Sequence, residues 1–368
     1  MSTVRFPNCR AFAKIDGKTL CRNYRLLCQQ AQAQNPRARV MAVVKDDAYG
    51  HGLSVVIPLL LDAGCTSFAV ATAAEAFGVR GFSSTAEILV LGYTPPDEVA
   101  ALAAANVTQT VFSPDYAAAL EERLAILGQK LRIHMKINGG LCRGGLDPAD
   151  KKGLLTLFSL PHLTPTGIYT HFPVADTDAA RTRCALSEFC ASVAWARAAK
   201  IPLFAHAAAS AAALTLPEAT LDGIRAGIAL YGLPPVSTHL PLSPVLSLHA
   251  PVICLTRVPA GTSVGYGGNF VTKRDSLLGT LPIGYGDGLW RRLCGLRVTL
   301  THGDKAFSVP IAGRICMDHT VLDLTDTPAA IGDTVCLWQD ARVPAAQAGT
   351  IPYEILTAIS PRVERRLV

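Results

Sequence analysis

The sequence predicts an α/β chain: an N-terminal (β/α)8 TIM-like barrel followed by a smaller, mostly β C-terminal domain. Three observations carry this. About eight short apolar segments alternate with helical periodicities through the first 224 residues. The alternation stops at a stretch holding Pro234, Pro235, Pro241 and Pro244, beyond which β-rich segments are separated by Gly and Asp turns. Polar residues recur just past the predicted barrel strands, on the face where such barrels build their sites. The expected division is residues 12–240 for the barrel and 241–368 for the β domain, with residues 1–11 packing against the latter. A chain of 368 residues, 50% apolar and 17% charged, has ample core for two domains.

Taken in order, residues 12–16 alternate like a short strand, and 18–34 carry Leu20, Tyr24 and Leu27 on one helical face. Residues 40–44, Val-Met-Ala-Val-Val, form a wholly apolar run of the kind found in buried parallel strands. Helices are then expected over 53–63, 73–80, 96–105, 115–127, 147–158, 178–199 and 210–214. The intervening strands are 67–71, 87–91, 108–112, 131–137, 166–170, 202–205 and 221–224. In the C-terminal domain the β segments are 246–257, 277–283, 296–301, 307–312, 320–324 and 334–338, with a last helix over 353–359.

Composition excludes several classes of function. The net charge of +6 comes from scattered Lys and Arg, with no basic run that would mark a nucleic-acid surface. The 11 cysteines include no C-x-x-C pair, so they read as reduced thiols of a cytoplasmic protein rather than a disulfide framework. The first 17 residues lack the apolar core of a signal peptide. The alanine-rich stretch 191–216 is interrupted by Arg197, Lys200 and His206 and is not expected to span a membrane. There is no H-E-x-x-H, no Cys/His cluster with zinc spacing, no Walker A loop and no Rossmann fingerprint.

The strand-end residues are the functional candidates. Lys45 ends the first apolar run, where burial would lower a lysine's pKa and free a nucleophilic amine for Schiff-base chemistry. A plain strand-end lysine reaching solvent is the alternative. Lys136, Asn138 and Arg143 surround the end of the fifth barrel strand; His171 follows the sixth, His206 the seventh and Arg225 the eighth. Arg225-Ala-Gly-Ile-Ala-Leu-Tyr-Gly232 supplies glycine-flanked backbone after the last strand, where barrels bind phosphate. Ser210 either joins that anion site or is an ordinary helix N-cap. In the β domain, Gly-rich clusters surround Tyr266, Tyr285 and the run Gly313-Arg-Ile-Cys-Met-Asp318; taken alone they read as tight turns.

Together these segments resemble the alanine racemase family, whose members use pyridoxal 5'-phosphate (PLP). The likeness runs from about Ile15 to Arg366. It rests on Lys45 to Gly52, on the Arg225 run, and on the segments Val264-Gly-Tyr-Gly-Gly, Gly284-Tyr-Gly-Asp-Gly and Gly313-Arg-Ile-Cys-Met-Asp. The resemblance implies that Lys45 holds PLP as a Schiff base and then serves as one base, with Tyr266 as the second base on the opposite face of the substrate Cα. Interconverting L- and D-alanine requires such an opposed pair. Arg225 would face the pyridine nitrogen, with His206 and His171 behind it. A guanidinium, with a pKa above about 12, donates a hydrogen bond without giving up its proton. PLP decarboxylases with a similar barrel place an acidic residue in a Glu-Pro-Gly-Arg stretch there, so Arg-Ala-Gly-Ile argues for a racemase.

The resemblance further assigns the cofactor phosphate to Tyr49, Ser210, the backbone of Gly227 and Ile228, and Tyr353. Arg143 and the backbone of Met317 would bind the substrate carboxylate, while Tyr353 and Tyr285 would restrict the side chain to a small one. Lys136 matches a lysine carbamylated in some relatives. The expected assembly is a head-to-tail homodimer whose partner chains exchange Tyr266 and Met317, supplying D-alanine for peptidoglycan. Departures from the family pattern are Asn138-Gly139-Gly140-Leu141 in place of Asp-Thr-Gly-Met, Ala209 in place of Asn, and Asp46-Asp47 in place of Ala-Asn. The altered Arg143 loop leaves a racemase of serine or another amino acid as an alternative. A non-catalytic PLP-binding protein on the same fold is a third reading.

Overall fold

Strand β1 (Phe12–Ile15) is followed by eight parallel strands that close a barrel: β2 (Arg39–Val43), β3 (Ser67–Val70), β4 (Glu87–Val90), β5 (Thr108–Val111), β6 (Leu131–Lys136), β7 (Leu163–Tyr169), β8 (Phe204–His206) and β9 (Gly223–Ala226). This computed structural model describes residues 10–198 and 202–368. The expectation that residues 1–11 join the β domain falls, for 1–9, outside the described residues, as does the end of the helix expected over 178–199. The described chain divides into two units: residues 20–48 with 56–243, and residues up to 19 with 49–55 and 244–368.

The barrel follows the predicted order of strands, and the reason is visible in its sequence. Strands β2, β3 and β4 are short, apolar in the main and buried except at the leading Arg39 and Glu87, as parallel strands covered on both faces must be. Its helices start and stop on local signals. Thr72 and Glu75 form a capping box on Ala73–Arg80; Ser113 caps Pro114–Leu127, which ends at Gly128 with φ +61°. The helix expected from 147 begins later, at Lys151–Phe158, because the Asp150 carboxylate accepts the Gly153 N–H and sets the start there.

The barrel interior is unusually polar along one line. Register places Thr110 beside His134, His134 beside Gly167, and Tyr169 beside His206. A Cβ at Gly167 would lie 2.4 Å from His134 Nε2, so the glycine makes room for the imidazole. Gln109, Thr110, His134, Thr170, His206 and Arg225 are all buried. Buried polar groups require partners: His134, His206 and Arg225 bond in a chain, while the Gln109 amide donates to Gly92 O and Thr110 O and the Thr170 hydroxyl to Ile137 O.

The second unit is largely β. Its main sheet has the order β16-β15-β18-β10-β1-β19, built from β10 (Leu246–Pro251), β15 (Arg297–His302), β16 (Lys305–Pro310), β18 (Thr334–Trp338) and β19 (Glu364–Leu367). A smaller sheet joins β11 (Cys254–Val258), β14 (Ser276–Leu281) and β17 (Thr320–Asp323), and β12 (Ser263–Val264) pairs with β13 (Phe270–Val271).

Three expectations change here. The segment 12–15, counted with the barrel, pairs antiparallel with β10 and parallel with β19, so it is a strand of the second unit's sheet. The single strand expected over 246–257 is two strands in different sheets, divided at Pro251-Val252-Ile253, where proline ends the ladder. The basic C-terminus is β19, with the Arg366 guanidinium 4.0 Å from the Phe12 ring centre. No helix among the described residues is long and apolar enough to cross a membrane.

Candidate active site

Lys45 stands half-buried directly after β2, where Val44 N–H still bonds Ala69 O of the next strand at 2.9 Å. The chain then makes one left-handed helical turn: φ is +54°, +52°, +56° and +53° at Asp46, Asp47, Ala48 and Tyr49. Left-handed backbone costs an L-residue about 1–2 kcal/mol. Strain of this kind persists only where surroundings over-determine it. One restraint within the barrel unit is Glu75, whose carboxylate accepts Asp46 N–H at 2.6 Å and Ala71 N–H at 2.7 Å. Asp tolerates this conformation better than most residues, which gives the Asp46-Asp47 pair a structural use.

Arg225, 3% exposed, is the centre of the polar line. Its Nη1 donates to His206 Nδ1 at 2.9 Å and to His206 O at 3.0 Å. Its Nη2 donates to Thr170 O at 2.7 Å and Ala207 O at 2.9 Å, and lies 3.3 Å from His171 Nδ1. The guanidinium also lies 5.0 Å from the Tyr169 ring centre. Burial lowers its pKa to about 10, so it is still a cation at neutral pH. The Nη donors are thus consumed, and among the described residues Nε–H has no partner.

The histidines around Arg225 are neutral. Burial first, then the nearby Arg225, Arg143, Lys136 and Lys45, pushes His171 down to about 3. These four cations thus all disfavour a proton on one imidazole. Burial followed by Arg225 and its neighbours holds His206 well below the ordinary histidine range.

Beyond β9, Gly227 N–H and Ala229 N–H both donate to Ser210 Oγ at 3.2 Å. Leu230, Tyr231 and Gly232 then fold back on the carbonyls of Gly227, Ile228 and Ala229. The start of such a turn gathers N–H groups, with Ile228 between the two that face Ser210, and suits an anion. Ser210 is therefore tied to the 227–229 backbone rather than acting as the N-cap, a place Ala209 holds without a side-chain bond.

The loop that departs from the family pattern is held by its own residues. Asn138 Oδ1 accepts Gly140 N–H at 3.1 Å and Cys142 N–H at 3.2 Å. Gly139 is required, since a Cβ there would meet Thr170 Oγ1 at 2.4 Å. Lys136 donates through Nζ to Arg143 O at 2.6 Å, and burial, then Arg143, lowers its pKa. Arg143 itself is exposed.

In the second unit, the three glycine-rich clusters meet. A Cβ at Gly313 would lie 2.6 Å from Val264 O, and one at Gly284 would lie 2.2 Å from Cys316 O. Tyr285 N–H bonds Cys316 O and Gly286 N–H bonds Met317 O, each at 2.9 Å. Tyr266 is 71% exposed on a turn after Gly265, and Met317 is 56% exposed. Tyr49 and Tyr353 face each other with ring centres 6.1 Å apart. No group of three or more His, Cys, Asp or Glu among the described residues could hold a metal ion.

Several site residues were hidden in the sequence. Glu75 sits in the first turn of Ala73–Arg80, and its bond to Asp46 N–H joins residues 29 apart in the chain. His134 and Tyr169 lie inside ordinary-looking strands. Asp287, 1% exposed, pairs with Arg10 at 3.0 Å and Arg362 at 2.9 Å beneath the Tyr285 turn.

Comparison with known proteins adds a second line. Residues 15–235 match the family model described as alanine racemase, N-terminal domain, and residues 245–367 match alanine racemase, C-terminal domain. The alanine racemase of Desulfovibrio desulfuricans is 37% identical over 369 residues, covering 96% of this chain and 97% of that relative. That of Carboxydothermus hydrogenoformans is also 37% identical, covering 96% of this chain and 98% of the relative. The crystal structure of alanine racemase from Bacillus anthracis with bound L-Ala-P superposes with a TM-score of 0.90 at 32% identity, over 99% of this chain and 96% of that one. Alanine racemase from D-cycloserine-producing Streptomyces lavendulae gives a TM-score of 0.89 at 32% identity, over 99% and 98% of the two chains.

Proposed function

This chain belongs to the alanine racemase family, isomerases acting on amino acids, and on that premise we propose that it interconverts L- and D-alanine with pyridoxal 5'-phosphate. The observation that carries the reading is Arg225: a buried cation whose Nη donors are all taken, leaving Nε–H as the one donor for an outside acceptor. A pyridine nitrogen fits that donor. The N–H groups around Ser210 suit the phosphate of the same molecule, so the barrel residues present fit the cofactor.

When bound, PLP supplies a carbonyl that takes up an amine and a conjugated ring that spreads the electrons left at Cα when its proton departs. Lys45 anchors the cofactor and moves the proton on the D face, and Tyr266 moves it on the L face. Arg225 would donate to the ring nitrogen without surrendering its own proton, which would leave bound PLP a weaker electron sink and favour prompt return of the proton to Cα over other chemistry. His171 and His206, both neutral, keep further positive charge away from that nitrogen. Arg143 and the Met317 backbone N–H bind the substrate carboxylate, and Tyr285 and Tyr353 keep the side-chain space small.

The exposure of Tyr266 and Met317 supports a homodimer in which each chain lends both residues to a second copy's barrel. The proposed setting is the cytoplasm, with D-alanine going to peptidoglycan. Lys45→Ala tests the chemistry. Wild-type protein should show the visible absorbance of lysine-bound cofactor, and the variant should lose both band and activity. A variant that kept both would remove Lys45 from its role.

A further inference from the structure

We propose that His134 is a positioning residue: it fixes the tautomer of His206 and thereby the direction in which Arg225 presents its donors. The inference rests on the reading of Arg225 as the group facing the cofactor ring. Its basis is a chain of atoms whose donor and acceptor roles allow a single solution. Arginine only donates, so His206 Nδ1, 2.9 Å from Arg225 Nη1, accepts. A neutral His206 then carries its proton on Nε2, 2.9 Å from His134 Nδ1, which must accept in turn. His134 is left with its proton on Nε2, over Gly167.

The His206 ring is held in place, and Phe204 lies beside His134 with ring centres 6.4 Å apart. Tyr169 stacks on His206 with ring centres 4.9 Å apart and planes at 14°. The Tyr169 hydroxyl lies 3.2 Å from Thr110 Oγ1. His134 borders a cavity of about 170 Å³ among the strand starts, lined also by Arg39, Glu87, Thr108, Arg132 and Thr166. Burial first, then Arg39, Arg132 and Arg225, keeps His134 neutral, with its pKa down at about 3. Without an acceptor at His134, the His206 Nε2–H is orphaned and the Nδ1–H tautomer becomes competitive. That tautomer sets a donor against the Arg225 donor.

The test uses full-length protein labelled with 15N-histidine and long-range 1H–15N correlation spectra, with and without PLP. The His206 signal is assigned by its loss in His206→Gln. Wild type should show His206 as the Nε2–H tautomer in both states; the Nδ1–H form would overturn the proposal whatever the variants do. In His134→Leu the Nδ1–H form should become populated. Racemase kcat should fall about tenfold or more, with KM for alanine within about twofold. His134→Asn, whose Oδ1 can take the acceptor position, should restore the tautomer and most of kcat. Equal losses in both variants with an unchanged tautomer, or no loss in His134→Leu, would overturn it. The cofactor-free spectra separate this outcome from a failure of the PLP reading.

Discussion

Arg225→Lys keeps the charge and removes the planar fork. In the barrel the guanidinium serves three backbone carbonyls, of Thr170, His206 and Ala207, and at least one histidine nitrogen. An ammonium has three donors radiating from one atom and cannot reach partners placed along both arms of a fork. Losing two charge-assisted hydrogen bonds at about 1.5–3 kcal/mol each destabilises the barrel by roughly 3–6 kcal/mol. For a unit of this size each kcal/mol shifts Tm by about 2–4 °C, so the melt should fall by on the order of 6–24 °C. Thermal unfolding followed by far-UV circular dichroism, with and without PLP, measures it. A variant melting within about 2 °C of wild type would refute the account of Arg225 as the hub of the buried network.

Other consequences follow from the same geometry. Gly50→Ala places a Cβ 2.1 Å from Leu356 O at a φ of +75°. It should lower the urea stability by at least about 2 kcal/mol, read as a shift in the unfolding midpoint. His134 and His171 are neutral in the fold, at about 3 against an ordinary 6.5. Below pH 6.5 the unfolded chain therefore binds more protons than the folded one. Stability should be flat above that pH and fall below it, towards pH 3, by up to about 1.4 kcal/mol per pH unit for each histidine. Urea titrations across that range check the sign.

The barrel was legible because short, mostly apolar runs such as Arg39–Val43, Ser67–Val70 and Glu87–Val90 alternate with helical periodicities. The strand-end positions of Lys45, Lys136 and His171 followed from that register. What was not legible shares a cause: it depends on dihedral angles or on partners distant in sequence. Asp46-Asp47 reads as surplus charge until the left-handed turn shows why short acidic side chains suit it. His134, in Leu-Arg-Ile-His-Met-Lys, looks like any strand residue until the barrel closes and brings His206 to it. Strands β1 and β19 were missed as partners because Lys14, Glu364, Arg365 and Arg366 break the apolar pattern, although the backbone pairing is regular. The loop 138–145 looked like a loss of function groups; its own hydrogen bonds show a closed, self-supported turn.

The most direct test of the two-base reading is the exchange of the α-proton of alanine in deuterated water, followed by NMR for each enantiomer. Wild-type protein with PLP should exchange both. Tyr266→Phe should still exchange D-alanine, where Lys45 reaches the proton, and should lose exchange of L-alanine. No exchange by the wild type, or equal exchange of both enantiomers by Tyr266→Phe, would contradict the account.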